Sequence, residues 1–502
     1  MRKRFERRTI GLFCILMAGI IGIMGSVYRI IGDEGILAAA AQQGTYRCTI
    51  ASFRGTIYDT NLQALTGLGE LTKLSSPLDS EDIFWVNERY QEDQDAVHVI
   101  GYLDGDGNGV DGIEKAYNGY LADGGQLSAV YQVDALNQAI AGMERTIDDT
   151  SELQNKGVVL TLDKEIQEIA QEAAEKYLTK GSVLVTEIPS CEIRASVSLP
   201  TYSPYDVADT LDEKGAPLLN RAFSSYPVGS VFKLVVAAAA LEKGVSTSLV
   251  YDCPGSISVD GMEFKCFNGV GHGKVDLEKA IAYSCNGYFI KLTEQMKPEE
   301  LLSMAEKLGF GSSVELAPGM SSSAGNLPVK KDLSNPKAKA NFSFGQGDLL
   351  ATPLQIAAMV NTIASGGLYT EPSLVEGLVD ENLVLTEREQ PKQAERVISS
   401  QTAAFLQKAM RASIEYGTSK KGKPSANGAG AKTSTAETGQ IVEGQQVVQS
   451  WISGFYPASN PKYVITVFAE DGVGGGTSCG PVFQEIADKL PINDGLFGLM
   501  AL

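Results

Sequence analysis

The pattern of apolar and polar positions predicts one membrane-spanning helix followed by a mixed body. Residues 9–28 are uncharged and mostly apolar. As a helix they would extend about 30 Å, the thickness of a bilayer core. Basic residues dominate the preceding segment 1–8, which indicates a cytoplasmic tail, a transmembrane anchor at 9–28 and an extracytoplasmic body. A cleaved signal peptide ending at Ala38-Ala39-Ala40 is the alternative.

The pattern of the body changes near residue 155, from a loop-rich segment to regular strand and helix patterns. Residues 29–154 are loop-rich, and we interpret them as a small membrane-proximal pedestal domain that ends in a polar linker. The segment VVLTLD predicts a strand, after which Asp163 caps an amphipathic helix to about Tyr177. Further alternating segments predict strands at 182–188, 193–199, around Lys432, at 450–456 and at 463–470, and a closing helix at 484–490. Strands at both ends of a helical middle predict an α+β domain over 155–491.

Composition narrows the chemistry. The 502 residues carry 61 acidic against 42 basic side chains, a net charge of −19, which argues against a nucleic-acid partner. The only histidines are His98 and His272, so no H-E-x-x-H metal site exists and the general base of a catalytic site is expected to be another residue. No cysteine pair has C-x-x-C spacing, so we expect neither a metal nor a cofactor. Cys253 and Cys266 are either a disulfide pair or small buried hydrophobic residues.

Three segments resemble ligand loops without completing them. Asp104-Gly-Asp-Gly-Asn-Gly109 begins like a calcium loop, but Lys115 stands where the bidentate glutamate belongs, so a glycine-rich turn is the better interpretation. The segment 417–424 nearly forms a phosphate loop, but Pro424 replaces its hydroxyl residue. The glycines of 472–476 indicate a hinge or turn.

Three short motifs point to serine acyl transfer. In Ser230-Val-Phe-Lys233, a serine and a lysine one helical turn apart share a face, and a desolvated lysine can replace the missing histidine as base. The second motif is Ser284-Cys285-Asn286, and the third is Lys432-Thr433-Ser434-Thr435 on a predicted strand that could pair with an extended peptide. Their order and spacing are more specific than any one motif.

With these motifs the chain resembles the class B penicillin-binding proteins, in particular their shorter Gram-positive forms. The resemblance extends to RGTIYD at 54–59, GIEKAY at 112–117, the segment around Ser284 and FGQG at 344–347. It implies the penicilloyl-serine transferase fold, an antiparallel sheet between helical groups, behind a single transmembrane helix and a pedestal. It also implies peptidoglycan D,D-transpeptidase activity, with a D-Ala-D-Ala stem peptide as donor, an amine of a second stem peptide as acceptor, and β-lactams as covalent inhibitors.

The resemblance also implies a role for each motif residue. Ser230 would attack the penultimate D-alanine carbonyl, Lys233 would take its proton, and the N–H groups of Ser230 and Thr435 would form the oxyanion hole. Ser284 and Lys432 would protonate the leaving D-alanine, Asn286 would orient the peptide, and Lys432 and Thr433 would bind the terminal carboxylate. Thr433, Ser434 and Thr435 would together form the substrate-binding segment. Ser434 departs from the family's glycine, which puts β-lactam affinity in question more than the reaction.

Several alternatives stay open from the sequence. A D,D-carboxypeptidase would use the same motifs with water as acceptor, and a β-lactam sensor or β-lactamase would share the core. A bifunctional class A enzyme would need a larger domain than residues 29–154 provide. A non-catalytic activator of a membrane glycan polymerase is the remaining candidate, and such a polymerase is also the expected partner of an active enzyme. His272 is expected to be structural near the cleft, and His98 to belong to the pedestal.

Overall fold

The apolar run forms a helix, Arg2–Ile31, in a computed structural model of the chain. Its stretch Arg7–Ile31 is long and apolar enough to cross a membrane, and its apolar side chains are exposed, as lipid contact requires. The structure describes residues 2–33, 44–78, 81–134, 136–140, 142–442 and 445–492. The alternative cleavage site at Ala38-Ala39-Ala40 lies outside these residues.

Two compact units make up the chain. The smaller unit comprises Met1–Arg54, Glu70–Glu88 and Asp123–Gln154. Besides the long helix it holds a three-stranded antiparallel sheet of Thr45–Ser52, Gln126–Gln132 and Thr146–Asp149 and a hairpin of Leu71–Ser75 and Ile83–Asn87. The larger unit comprises Gly55–Gly69, Arg89–Ala122 and Asn155–Leu502.

The predicted pedestal segment is divided between these units. Residues 55–69 and 89–122 belong to the larger unit because their apolar side chains enter its core: Ile57, Ile100 and Ile113 pack in one cluster with Val158 and Leu184. The assignment of His98 to the pedestal is wrong for the same reason. Its ring lies buried in the larger unit, with Nε2 2.6 Å from the Pro217 carbonyl.

A five-stranded antiparallel sheet organises the larger unit. Its strands are β1 (Gly181–Glu187), β2 (Ile193–Leu199), β3 (Gly430–Val442), β4 (Gln445–Tyr456) and β5 (Tyr463–Gly472), in the order β3-β4-β5-β1-β2. The sheet therefore combines two strands from the beginning of the domain, β1 and β2, with three from its end, β3, β4 and β5. This confirms the predicted α+β class and its antiparallel sheet, with β3 at one edge.

Helices cover both faces of this sheet. On one face pack α1 (Lys164–Tyr177), which begins at the predicted Asp163 cap, and the closing helix α7 (Gly480–Lys489). On the other pack α2 (Lys233–Glu242), α3 (Leu277–Ala282), α4 (Asn286–Glu294), α5 (Pro353–Ala364) and α6 (Ser400–Tyr416). Neighbouring sheet residues alternate accordingly: Trp451 enters the core of α2 and Ile452 that of α1.

Smaller elements complete the larger unit. A four-stranded sheet is formed by Thr56–Tyr58, Gly157–Leu160, Val375–Val379 and Leu385–Arg388. Short paired strands are Tyr226–Pro227 with Leu350–Ala351, Tyr251–Cys253 with Gly273–Val275, Ser256–Val259 with Met262–Lys265, Glu315–Ala317 with Met320–Ser321, and Leu368–Tyr369 with Glu395–Arg396. Further helices are Val97–Ile100, Gly112–Ala116, Asn118–Leu121, Val207–Thr210, Pro298–Lys307, Pro336–Ser343 and Gly475–Ser478.

An ion pair with a buried arginine ties the chain before α2 to the sheet, and its loss should destabilise the larger unit. Arg221 is 1% exposed, and its Nε donates to Glu470 Oε2 at 2.6 Å while Nη1 donates to the Ala216 carbonyl at 3.1 Å. Arg221→Met removes the donor of the Ala216 carbonyl, whereas the partly exposed Glu470 keeps Lys180 as a partner, so we expect the free energy of unfolding to fall by about 2 kcal/mol in urea titrations followed by circular dichroism. Lys392→Met, which removes the exposed pair with Glu371, is the control and should cost less than about 1 kcal/mol. Equal losses would contradict the structural role.

Candidate active site

The first motif begins in a tight turn that leads into a buried helix. Ser230 lies in the 3₁₀ turn Gly229–Phe232, and α2 begins directly after it at Lys233. Gly229 has φ of +64°, and a Cβ there would lie 2.4 Å from Ser434 Oγ. Only glycine fits this position without strain.

Hydrogen bonds from distant parts of the chain fix this turn. The Ser434 hydroxyl donates to the Val228 carbonyl at 2.7 Å, and the Trp451 indole N–H donates to the Pro227 carbonyl at 3.1 Å. On the other side, the Gly229 N–H donates to the Gly345 carbonyl at 2.8 Å. The sheet edge and the loop after Pro336–Ser343 therefore hold the turn that carries Ser230 between them.

The first two motifs meet at the Lys233 amine. Its Nζ lies 3.0 Å from Ser230 Oγ, 3.1 Å from Ser284 Oγ, 2.7 Å from the Ser284 carbonyl oxygen and 2.6 Å from Asn286 Oδ1. The Asn286 amide is oriented by its own Nδ2, which donates to the Lys265 carbonyl at 2.8 Å. The predicted residues Ser230, Lys233, Ser284 and Asn286 thus form one hydrogen-bonded cluster.

This set of partners suits a neutral amine. The Ser284 carbonyl and Asn286 Oδ1 can only accept, so they use the two N–H bonds of a neutral lysine. The lone pair then points to a hydroxyl proton, either that of Ser230 or that of Ser284, since both oxygens lie within about 3 Å. The geometry can therefore deprotonate one serine and connect it to the other.

Burial favours the same protonation state. Lys233 is fully buried, and loss of water lowers its pKa to about 7, although the Cys285 and Cys266 thiols act in the opposite direction. Burial and the neighbouring charge of Lys233 also hold the pKa of Lys432 well below its usual range. In the described part of the chain, neither lysine forms an ion pair with a carboxylate. The half-buried Ser230 and Ser284 lie where this dry interior meets the surface.

The second motif is held in an uncommon backbone conformation. Ser284 follows α3 with φ of +58°, in the left-handed region, and Cys285 is the N-cap of α4. The turn lets both the carbonyl and the hydroxyl of Ser284 reach Lys233. Such conformations cost about 1–3 kcal/mol and persist where the surroundings hold them.

The third motif lies on the edge strand β3. The Lys432 amine donates to the Thr433 carbonyl at 2.8 Å, and the Thr433 hydroxyl donates to Thr418 Oγ1 at 2.7 Å. Thr435 Oγ1 accepts from the Gly475 N–H at 3.3 Å. Since β3 pairs with β4 on one side only among the described strands, its other edge offers backbone groups to a ligand.

Ser434, which departs from the family's glycine, is turned into the protein. It is 2% exposed, and its hydroxyl is occupied by the Val228 carbonyl. The side chain fills the space over Gly229 and leaves no unsatisfied polar group.

Two contributors to this site lie in segments whose roles the sequence did not reveal. Thr418 belongs to the incomplete phosphate loop, which follows a helix, α6, and not the strand that such loops require. Gly475 belongs to the glycine-rich segment after β5, which forms a turn against β3; a Cβ there would lie 2.5 Å from the Ser434 carbonyl oxygen. The apparent calcium loop is a turn closed on Asp104, which accepts from the N–H groups of Asp106 and Asn108.

The cysteines nearest the site are free thiols. Cys253 and Cys266 do not form the disulfide that was one expectation; both are buried, which agrees with the other. They lie with His272 and Cys285 directly behind the second motif. The ring of His272 is stacked on that of Tyr283, and its expected structural role stays a prediction.

Comparisons with known proteins identify relatives of this chain. Residues 181–488 match the family model described as penicillin binding protein transpeptidase domain. Peptidoglycan D,D-transpeptidase PbpA from Mycolicibacterium smegmatis is 32% identical over 62% of this chain and 67% of its own length. Stage V sporulation protein D from Bacillus subtilis is 28% identical over 78% of this chain and 62% of its own length, so the chain spans less than two thirds of that relative. The crystal structure of penicillin-binding protein 3 from Mycobacterium tuberculosis complexed with aztreonam superposes with a TM-score of 0.68 at 26% identity, covering 88% of this chain and 96% of that one.

The contact between Gly229 and Ser434 predicts coupled mutations. Gly229→Ala should lower the free energy of unfolding by about 2–4 kcal/mol, from left-handed strain and overlap with the Ser434 hydroxyl. In a Ser434→Gly background the overlap disappears, and the cost should fall by about 1 kcal/mol. Gly244→Ala is the matched control, because φ is +85° there with nothing within 4 Å of the added Cβ. Urea unfolding of the four-variant cycle measures the coupling; the same cost in both backgrounds would contradict the contact.

Proposed function

The chain belongs to the penicillin-binding protein transpeptidase family, and we propose that it is a peptidoglycan D,D-transpeptidase that works through an acyl-enzyme on Ser230. The observation that carries the proposal is the Lys233 amine. It is buried, without a carboxylate partner among the described residues, and in hydrogen-bond contact with the hydroxyls of Ser230 and Ser284. A lysine in this setting is a base at neutral pH, which the scarcity of histidine requires.

Acylation follows from these contacts. Lys233 takes the Ser230 proton as Oγ attacks the carbonyl carbon of the penultimate D-alanine of a stem peptide. The N–H groups of Ser230 and Thr435 stabilise the negative oxygen of the tetrahedral intermediate, a contribution of about 3–4 kcal/mol per donor in comparable sites. The proton then passes through Ser284, with Lys432 nearby, to the nitrogen of the leaving D-alanine. The peptide bond is exchanged for a serine ester.

The edge strand provides the substrate site in this proposal. The stem peptide lies extended along β3, Thr433 and Lys432 bind the terminal carboxylate, and Asn286 orients the peptide from the opposite side. The Asn286 Nδ2 donates to the Lys265 carbonyl, which fixes the orientation of the Asn286 amide and supports this role. An amine from a second stem peptide attacks the ester, Lys233 removes the proton of that amine, and Ser230 is released as the cross-link forms. The aztreonam complex of the structural relative supports β-lactams as ligands of this chain.

The helix Arg7–Ile31 supports attachment to the cell membrane as a single-pass anchor. With basic residues on its N-terminal side, we propose a cytoplasmic N-terminus and an extracytoplasmic catalytic unit. Cross-linking requires newly made glycan strands, so the proposed partner is a membrane glycan polymerase. The separate smaller unit that follows the helix is a suitable surface for such a partner.

A labelled penicillin should acylate Ser230. Opening of the β-lactam ring by Oγ adds the mass of the inhibitor, and we expect one adduct per chain on the peptide that contains Ser230 in mass spectrometry of the full chain. Ser230→Ala should give no adduct, whereas Ser225→Ala, at a half-buried serine five residues earlier, should react like the wild type. Equal labelling of Ser230→Ala would exclude the assigned nucleophile. With donor and acceptor stem peptides, cross-linked dimer is the expected product; release of D-alanine without dimer would make the enzyme a carboxypeptidase.

The rate of acylation should rise with pH through about 7. The neutral form of Lys233 is the base, and burial lowers the pKa of Lys233 to about 7, so the rate should increase about tenfold per pH unit below that value and level off above it. Stopped-flow measurement with a chromogenic cephalosporin between pH 5 and 9 gives the profile. Lys233→Arg, which stays protonated throughout, should lose at least about a hundredfold in rate. A pH-independent rate in the wild type would contradict Lys233 as the base.

A further inference from the structure

Four side chains of types that bind metals cluster around Cys285, the middle residue of the second motif. Cys253, Cys266, His272 and Cys285 bring three sulfur atoms and one imidazole nitrogen within 4.8 Å of one another. Cys253 Sγ is 3.6 Å from both Cys266 Sγ and His272 Nδ1, and Cys266 Sγ is 4.0 Å from Cys285 Sγ. From this geometry we propose that these four residues bind one structural zinc ion.

The separations match the edges of a zinc tetrahedron. With Zn–S bonds of about 2.3 Å and Zn–N bonds of about 2.0–2.1 Å, tetrahedral ligands lie about 3.5–3.8 Å apart. Three of the six separations are 3.6–4.0 Å and all six are within 4.8 Å, so closing on the ion requires side-chain movements of about 1 Å or less. A disulfide, by contrast, joins its sulfurs at about 2.05 Å.

The donor set selects the ion and its role. Soft thiolates with one imidazole in a tetrahedral arrangement favour Zn²⁺ over magnesium or calcium, which require oxygen ligands. Each ligating thiol loses its proton to solvent, and the imidazole binds through the nitrogen that faces Cys253. Four protein ligands leave no open position, so the site is structural and the zinc takes no part in the acyl transfer.

The four ligands come from separate segments, which C-x-x-C spacing cannot show. Cys253 ends the strand Tyr251–Cys253, Cys266 follows the strand Met262–Lys265, His272 precedes the strand Gly273–Val275, and Cys285 caps α4. The surroundings suit bound sulfur: the Cys266 and Cys285 thiols lie near the backbone N–H groups of Gly287 and Tyr288, at the N-terminus of α4. The three cysteines are each at most 3% exposed.

Zinc at this place would position the second motif. Cys285 is flanked by Ser284 and Asn286, both of which contact the Lys233 amine. Cys266 adjoins Lys265, whose carbonyl orients the Asn286 amide. The four ligands are thus positioning residues: the ion holds Ser284 in its left-handed conformation without touching substrate. This consequence rests on the proposed acyl-transfer function, whereas the metal site itself does not.

Metal analysis of the full chain tests the site directly. Protein purified in detergent with a thiol reductant should contain about one zinc per chain by inductively coupled plasma mass spectrometry. Replacement of zinc by cobalt(II) should produce the visible bands of a tetrahedral ion and a thiolate-to-cobalt charge-transfer band. Absence of both zinc and cobalt binding overturns the proposal.

Two ligand variants and one control test whether zinc binds at this cluster and not at another cysteine. Cys253→Ser and His272→Phe, which keeps a ring against Tyr283, should each weaken zinc binding at least about a hundredfold in competition with a chromogenic chelator. Cys479→Ser, at a buried cysteine whose thiol donates to the Ser450 carbonyl, should bind zinc like the wild type. Circular dichroism checks that each variant folds. If Cys253→Ser does not fold, the zinc affinity of His272→Phe tests the site by itself. Equal affinity in all variants overturns the site, as does a Cys253–Cys266 or Cys266–Cys285 disulfide found by peptide mapping in place of zinc.

Penicillin acylation tests the positioning role apart from the metal. Removal of zinc by a chelator should slow acylation of Ser230 at least about tenfold, and added zinc should restore it. Cys479→Ser, treated identically, should behave as the wild type does. Zinc bound at full stoichiometry with no effect on acylation would overturn the positioning role and leave the metal site; zinc binding without any acylation of the wild type would count against the proposed function alone.

Discussion

The site depends on a lysine amine that is buried with hydrogen-bond partners and that forms no ion pair with a carboxylate among the residues the structure describes. Placing a charged ammonium in such surroundings costs several kcal/mol, so the free energy shifts toward the neutral amine. Lys233 finds two pure acceptors there, the Ser284 carbonyl and Asn286 Oδ1, and they direct its lone pair to a hydroxyl. A carboxylate partner would raise the pKa of the Lys233 amine, and the amine would then stay protonated at neutral pH. The surrounding elements serve to keep this pocket dry and its acceptors in place.

The nucleophile is held by contacts that come almost entirely from far along the chain. The Val228 carbonyl accepts from Ser434, 206 residues away, and the Pro227 carbonyl from Trp451, 224 residues away. Because β3 carries Ser434 and also the proposed carboxylate and oxyanion groups, the same strand fixes the attacking serine and its target. Serine in place of the family's glycine strengthens this link, since its hydroxyl adds a bond that glycine lacks.

Local features of this chain could be predicted and distant ones could not. The apolar run, the Asp163 cap and the alternating strands β1 and β2 depend on neighbours in sequence, and the structure has them where predicted. The Ser230–Lys233 pair was visible because one helical turn joins it. Segments 55–69 and 89–122 were assigned to the pedestal because their packing partners, such as Leu184, give no signal in the local pattern. Contacts between residues distant in sequence likewise determine the inward orientation of Ser434, the hydrogen bond between Thr433 and Thr418, and the convergence of three cysteines with His272.

The order of strands has a consequence for biosynthesis. The interior strand β1 pairs with the central strand β5, which lies about 280 residues further along the chain. At about 5–20 residues per second, on the order of tens of seconds separate the synthesis of the two strands. During that interval β1 and β2 have a hydrophobic hairpin without its central neighbour, while Ser230 and Lys233 are already present without the strand that completes their cleft. Until strands β3–β5 are made, the apolar faces of β1 and β2 lack their sheet partners, which exposes the nascent chain to aggregation.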